Sequence, residues 1–167
     1  MAIVPALSYV ELLAYTDEET RRWREYFQQN PKALETVIGG RHNDVRGLVT
    51  HIFVSEFRWG QHLAGEQPTP NEAFKPQTLD EVWAIYATAR RRLESWVAKA
   101  SPEEMDRILT VRSVTYNRDV TASKRKILTH ALIHGIRHWA QIATALRRPA
   151  SSAIGRTTCC TARRCDR

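Results

Sequence analysis

The sequence predicts an all-α fold, a four-helix bundle with long crossover connections. Four segments place apolar residues at helical spacing, and each is bounded by a capping residue, a glycine or a proline. Two longer connections separate these helices, as in bundles with crossovers. At 167 residues, with 43% hydrophobic and 26% charged residues, the chain fits a single domain with one hydrophobic core.

Helix one is predicted from Ala6 to about Gln29, ending before Pro31. Thr16 followed by Glu19 is a capping-box pattern that would instead start the helix at Thr16. We expect one continuous helix, because helical spacing continues through these residues. Its apolar positions are Leu7, Val10, Leu13, Ala14, Trp23 and Phe27.

Helix two is predicted to begin after Asn43 or Asp44, which can cap it, and to end at Gly65. Residues 65–77 contain three prolines and no periodicity, so they predict a crossover loop. The apolar positions of helix two are Val45, Leu48, Val49, Ile52, Phe53, Phe57 and Leu63.

Helix three is predicted to open with a capping box at Thr78 and Glu81 and to end near Ser101. Residues 108–121 alternate β-branched and polar side chains, with Asn117 as a turn residue, which predicts an irregular or hairpin-like connection. The apolar positions of helix three are Val82, Ile85, Tyr86, Leu93, Trp96 and Val97.

Helix four is predicted from Ser123 to about Arg147 and carries His130, His134 and His138 at a spacing of four. Each helical residue turns the chain by about 100°, so the three imidazoles share one face, beside apolar neighbours. Two histidines at i and i+4 can bind one divalent cation, and a third ligand must come from elsewhere. The alternative is a buried amphipathic helix whose histidines hydrogen-bond their neighbours.

Helix two supplies another histidine on a core-facing stripe, His51 beside Leu48. Such a residue alone is more often a core histidine than a ligand, but bundle metal sites are built from inward side chains on facing helices. His62 shares this direction but lies about 16 Å further along the axis, so we expect it to remain outside a shared site.

The net charge of +7 comes mostly from the end of the chain. Residues 147–167 hold six arginines and one aspartate, together with all three cysteines, Cys159, Cys160 and Cys165. We therefore divide the chain into a bundle over 1–147 and an irregular basic tail over 148–167, and hypothesise that the tail is a frameshift product. Nucleic-acid binding driven by the tail is the weakest function considered. The chain shows no membrane span or signal peptide, so we expect a cytoplasmic protein.

Two motifs give the sequence a resemblance to a known family. They are L-V-T-H-I-F-V-S-E-F-R-W at residues 48–59 and L-T-H-A-L-I-H-G-I-R-H-W-A-Q-I at residues 128–142, with L-L-A-Y-T at residues 12–16 as weaker support. In this order, within four predicted helices, they resemble the DinB/YfiT-like four-helix proteins. The resemblance covers roughly residues 6–147.

The resemblance implies that the metal ligands are His51, His134 and His138, with Gln141 completing an H-x3-H-x2-Q pattern. His130 falls outside the pattern. It would either contact and support the metal ligands or be a core histidine, and we expect the latter. Trp139-Ala140 departs from the Arg-Gly that often precedes this Gln in the family.

Three further side chains in these motifs each have two possible roles. Glu56 matches a commonly acidic family position, or it forms an ion pair with Arg58 or with a neighbouring helix. Trp59 and Trp139 either wall a partly apolar pocket or are ordinary core or interface aromatics.

The function implied by the resemblance is metal-dependent thiol chemistry. We expect a divalent ion, zinc or nickel, and a thiol-dependent S-transferase or isomerase of stress response or detoxification. A small-molecule substrate and a low-molecular-weight thiol such as mycothiol, bacillithiol or glutathione would be its partners, and the protein would be a homodimer. The alternative is a non-catalytic dimeric bundle with a structural or vestigial site. The sequence identifies no catalytic side chain beyond the ligands.

Overall fold

The computed structural model describes residues 7–113 and 117–147, so the predicted tail at 148–167 lies outside the described residues. The all-α prediction is confirmed, with four long helices and a small hairpin. The elements are α1 Tyr9–Gln29, α2 Val45–Ala64, α3 Leu79–Val97, α4 Pro102–Asp106, β1 Ile108–Ser113, β2 Arg118–Ser123 and α5 Lys124–Arg147.

Helix α1 is continuous, as predicted, but it begins at Tyr9 rather than at Ala6. Ser8 caps the helix in a capping box with Glu11, and this cap was not predicted from the sequence. The alternative start at Thr16 is wrong, because Thr16 is buried within the helix and its hydroxyl donates to the Leu12 carbonyl at 3.0 Å.

Helix α2 has the predicted bounds. The Asp44 side chain accepts a hydrogen bond from the Gly47 N–H at 2.8 Å, which satisfies one free donor of the first turn. Gly65 ends the helix in the left-handed conformation, with φ at 76°.

Helix α3 opens with the predicted capping box of Thr78 and Glu81. It ends at Val97, earlier than the predicted end near Ser101. Ser101 instead caps the short helix α4, which the sequence reading did not separate from α3.

The connection before α5 is an antiparallel hairpin, which confirms the hairpin-like alternative. Ile108 pairs with Ser123 at its open end, and the hydroxyls of Thr110 and Thr121 lie 2.9 Å apart across the strands. Asn117 has a positive φ of 47°, as suits the predicted turn residue.

The hydrophobic core lies around α2, which packs between α3 and α5. One cluster surrounds the first half of α2 and includes Phe27, Phe53, Trp83 and Trp139. A second cluster surrounds its end and includes Leu63, Leu93 and Leu128. Each fully buried side chain of this size contributes about 1.5–3 kcal/mol. This packing fixes α2 against α5, and so decides which histidines can meet.

Candidate metal centre

Two helices bring three histidines together at the surface seam between α2 and α5. His51 lies on α2 next to Ile52, which is 2% exposed. His134 and His138 lie one turn apart on α5, on either side of the buried Gly135. All three are half-buried, so their rings are held by the core while the seam stays open to solvent.

Ring nitrogens of His51, His134 and His138 lie close to one another. One candidate ligand atom from each of His51, His134 and His138 lies within 4.8 Å of the other two. The Nε2 atoms of His134 and His138 are 3.1 Å apart. The ring of His51 lies 5.1 Å from that of His134 and 5.2 Å from that of His138.

These separations fit one small divalent ion. Zinc binds imidazole nitrogen at about 2.0–2.1 Å, so two nitrogens as close as those of His134 and His138 would subtend about 100° at the ion. That angle is near tetrahedral. The donor set, three imidazoles without a carboxylate or thiolate, suits zinc, nickel or another borderline transition metal. The three histidines could therefore hold a divalent metal ion.

Two side chains contact the remaining ring nitrogens of the cluster. The Nδ1 of His138 lies 3.1 Å from the Gln141 amide oxygen, which can only accept a hydrogen bond. His138 would then carry its proton on Nδ1 and leave Nε2 free to bind an ion. The hydroxyl of Ser55 lies 3.4 Å from Nδ1 of His51 and can fix that ring in the same way.

The site favours neutral imidazoles, as metal binding requires. Burial lowers the pKa of His51 to about 4, with help from the neighbouring His42 and His138. Burial, together with the neighbouring His138 and His51, likewise lowers the pKa of His134 to about 3. Both rings are therefore uncharged at neutral pH.

Comparison with known families agrees with this architecture. The family model of the DinB family matches residues 4–149. The chain belongs to the DinB family. No curated protein matches it. Within the part of the chain that the structure describes, no helix has both the length and the apolar character to cross a membrane.

One residue of this DinB protein near the centre was missed by the sequence reading. His42 precedes α2, and its ring lies 4.3 Å from that of His51. It is not part of the cluster whose nitrogens all lie within 4.8 Å of one another. No helical spacing connects His42 to the other histidines, because it lies in a separate short 3-10 helix, Gly40–His42, that only the fold brings to the site.

The other two helical histidines lie outside the cluster. His62 packs its ring 5.5 Å from Trp59, on the next turns of α2, and lies outside the cluster as predicted. The expectation that His130 is a core histidine is wrong, because His130 is exposed. Its ring contacts Trp59 at 5.5 Å and His134 at 5.6 Å, along the solvent side of the α2–α5 seam.

The two tryptophans of the motifs have different environments. Trp139 is only 5% exposed and stacks on Trp23 at 5.3 Å, so it belongs to the core rather than to a pocket wall. Trp59 is half-buried between His62 and His130. The Trp139 side chain, which departs from the family pattern, therefore fills part of the core next to the histidines.

Glu56 directly follows Ser55 in α2 and takes part in a buried network. Its partner is Arg90 on the neighbouring helix α3, at 3.2 Å, rather than Arg58, which bonds Asn71 instead. Burial raises the pKa of the Glu56 carboxyl to about 7, and the charge of Arg90 opposes this shift. The network joins three helices, since Arg90 also lies 3.2 Å from Asp17 on α1.

Proposed function

We propose that this DinB protein is a divalent-metal-dependent enzyme that activates a low-molecular-weight thiol. The observation that supports it is the convergence of His51, His134 and His138, whose candidate ligand atoms lie within 4.8 Å of one another. Three neutral ligands leave the charge of the ion uncompensated, which is typical of catalytic rather than structural zinc sites.

The protein holds and exposes this centre through its own residues. His51, His134 and His138 would hold the ion, while Gln141 and Ser55 fix ring orientation. A bound metal would act as a Lewis acid that lowers the pKa of a coordinated thiol or water. Residues 1–158 contain no cysteine, so the bundle has no thiol nucleophile and the sulfur would come from a co-substrate.

The wider setting follows from the family resemblance and is part of the same proposal. Zinc or nickel would be the metal. Mycothiol, bacillithiol or glutathione would be the thiol, in an S-transfer or isomerisation step of stress response or detoxification. We place the protein in the cytoplasm.

A second candidate function is a non-catalytic dimeric bundle with a structural or vestigial metal site. Exposed apolar side chains at the start of α1 favour it, because Leu7 is 70% and Val10 67% exposed. A second copy of the chain would cover this surface. Such a module would bind metal but would not bind a thiol at the ion.

Metal content tests the shared part of both candidates. Elemental analysis of full-length protein prepared without chelator or histidine tag should give one ion per chain. Alanine at His51, His134 or His138 should abolish stoichiometric binding, while alanine at the matched controls His62 and His130 should retain it. Parent-like metal binding by His51→Ala would refute the three-ligand centre.

Cobalt substitution distinguishes the two candidate functions, the thiol-dependent enzyme and the non-catalytic dimeric bundle. Cellular thiols at millimolar concentration should perturb the visible bands of the cobalt protein, with an affinity that rises with pH because the thiol must lose its proton. Bands that respond to azide but to no thiol would refute the thiol proposal. Metal-bound hydroxide acting on another substrate would then be the better explanation.

A further inference from the structure

A turn before α2, which contains the short 3-10 helix Gly40–His42, carries His42 to the histidine cluster. The N–H groups of Ile38 and Gly39 both donate to the Asn43 carbonyl, at 2.9 and 3.3 Å, which closes the turn. Gly39 and Gly40 have φ of 70° and 74°, and Asn43 has φ of 53°. These left-handed conformations cost least at glycine and asparagine, so the residue types suit this backbone path.

The backbone of the turn at His42 packs closely against the backbone of α2 at Gly47. A Cβ atom added to Gly47 would lie 2.5 Å from the His42 carbonyl oxygen, nearer than any side chain can approach. Position 47 must therefore be glycine for His42 to sit where it does. Asp44 caps the helix in the same place and accepts from the Gly47 N–H, so helix start and turn form one unit.

The imidazole of His42 consequently lies against His51 at the edge of the cluster. Its ring lies 4.3 Å from that of His51, inclined by 33°. The nitrogens of His42 lie outside the mutual 4.8 Å cluster, so His42 lies beside one candidate ligand without belonging to the ligand set.

We propose that His42 binds the exogenous ligand of the metal, an anionic sulfur or oxygen donor, and positions it at the open coordination site. This inference rests on the proposed metal centre and adds a residue to it. A neutral imidazole carries one N–H donor and one acceptor nitrogen. It can donate to a thiolate or hydroxide on the ion, or accept from the neutral form of either. His42 would thus provide a hydrogen bond that none of the three ligands can make once each has bound the metal.

The test uses cobalt-loaded full-length protein titrated with sodium azide, followed by visible absorption. His42→Ala should bind cobalt within about threefold of the parent and keep the same bands before azide is added. Its azide affinity should fall about ten- to hundredfold, the loss of one hydrogen bond to a charged group. His42→Gln, which keeps a donor, should recover part of that loss.

Two further variants separate positioning from a general structural effect. Gly47→Ala keeps the imidazole but displaces the turn, so it should also weaken azide binding while cobalt affinity stays within threefold. His62→Ala, a half-buried histidine of α2 outside the cluster, should leave azide affinity unchanged. Far-ultraviolet circular dichroism checks that each variant remains helical.

The outcomes distinguish this inference from the proposed function. A parent chain that binds no cobalt would overturn the metal centre itself. A parent that binds cobalt, with His42→Ala matching its azide affinity, would overturn only the role of His42. A cobalt affinity at least tenfold lower in His42→Ala, with altered resting bands, would also overturn it and show that His42 is a fourth ligand.

Discussion

Replacing Arg90 with methionine should strongly destabilise the bundle. Arg90 is 5% and Glu56 4% exposed, and their charged groups lie 3.2 Å apart. The same guanidinium lies 3.2 Å from Asp17 and donates to the Thr16 hydroxyl at 2.9 Å, so it links α1, α2 and α3. Methionine keeps much of the side-chain volume but leaves a buried carboxyl without its counter-charge.

Breaking a buried ion pair from one side costs about 3–5 kcal/mol, because the remaining charge stays away from water. For a chain of this length each kcal/mol lowers the melting temperature by about 2–4 °C, so Arg90→Met should melt about 6–20 °C lower. Replacing both partners, with Glu56→Leu added to Arg90→Met, should recover most of the loss, since apolar replacement of both charges is often neutral.

The pH dependence of this variant has a defined sign. Burial already raises the pKa of Glu56 to about 7, above its ordinary value, and loss of Arg90 should raise it further. Between the unfolded and folded pKa values the native state binds more protons than the unfolded state, so stability falls as pH rises. The cost of Arg90→Met should therefore be smaller at pH 5 than at pH 8.

Urea unfolding followed by circular dichroism at both pH values measures these differences. Arg91→Met, on the exposed neighbouring residue, is the matched control and should lie within about 0.5 kcal/mol of the parent. A loss below about 1 kcal/mol for Arg90→Met, or a double variant no more stable than the single one, would refute the reasoning.

Three other outcomes are expected. Metal affinity should persist below pH 6, where an ordinary histidine site weakens, because the pKa values of His51 and His134 are about 4 and 3. Calorimetric zinc titrations from pH 5 to 8 measure this affinity, and a steep loss of affinity starting near pH 6.5 would contradict the prediction. Gln141→Ala should weaken zinc binding about tenfold, because the variant loses the contact that orients the His138 ring through Nδ1. Competition with a chromophoric chelator measures the zinc affinity, and an unchanged affinity would show that this contact does not orient the ring. Phe53→Ala should cost about 3–5 kcal/mol in urea unfolding, since Phe53 is fully buried against aromatic neighbours; a cost below 1 kcal/mol would mean that the core closes around the gap.

Local chemistry allowed the sequence to determine the helices and one side of the candidate site. Capping groups at Asp44 and Thr78 and the stop at Gly65 act over only a few residues, so helix bounds could be read from them. The spacing of His134 and His138 placed them on one helix face for the same reason, and the family motifs added His51. The alternative start at Thr16 arose because a capping pattern can equally well lie inside a helix, where the hydroxyl bonds to its own backbone.

Only the tertiary structure decided which distant groups meet and which face solvent. The pairing of Glu56 with Arg90 depends on how α2 packs against α3, and the exposure of His130 depends on how α5 is rotated against α2. His42 reaches the centre through a turn of left-handed residues whose path no periodicity encodes. Helical spacing fixes direction within one helix, whereas contacts between elements depend on the packing of the whole core.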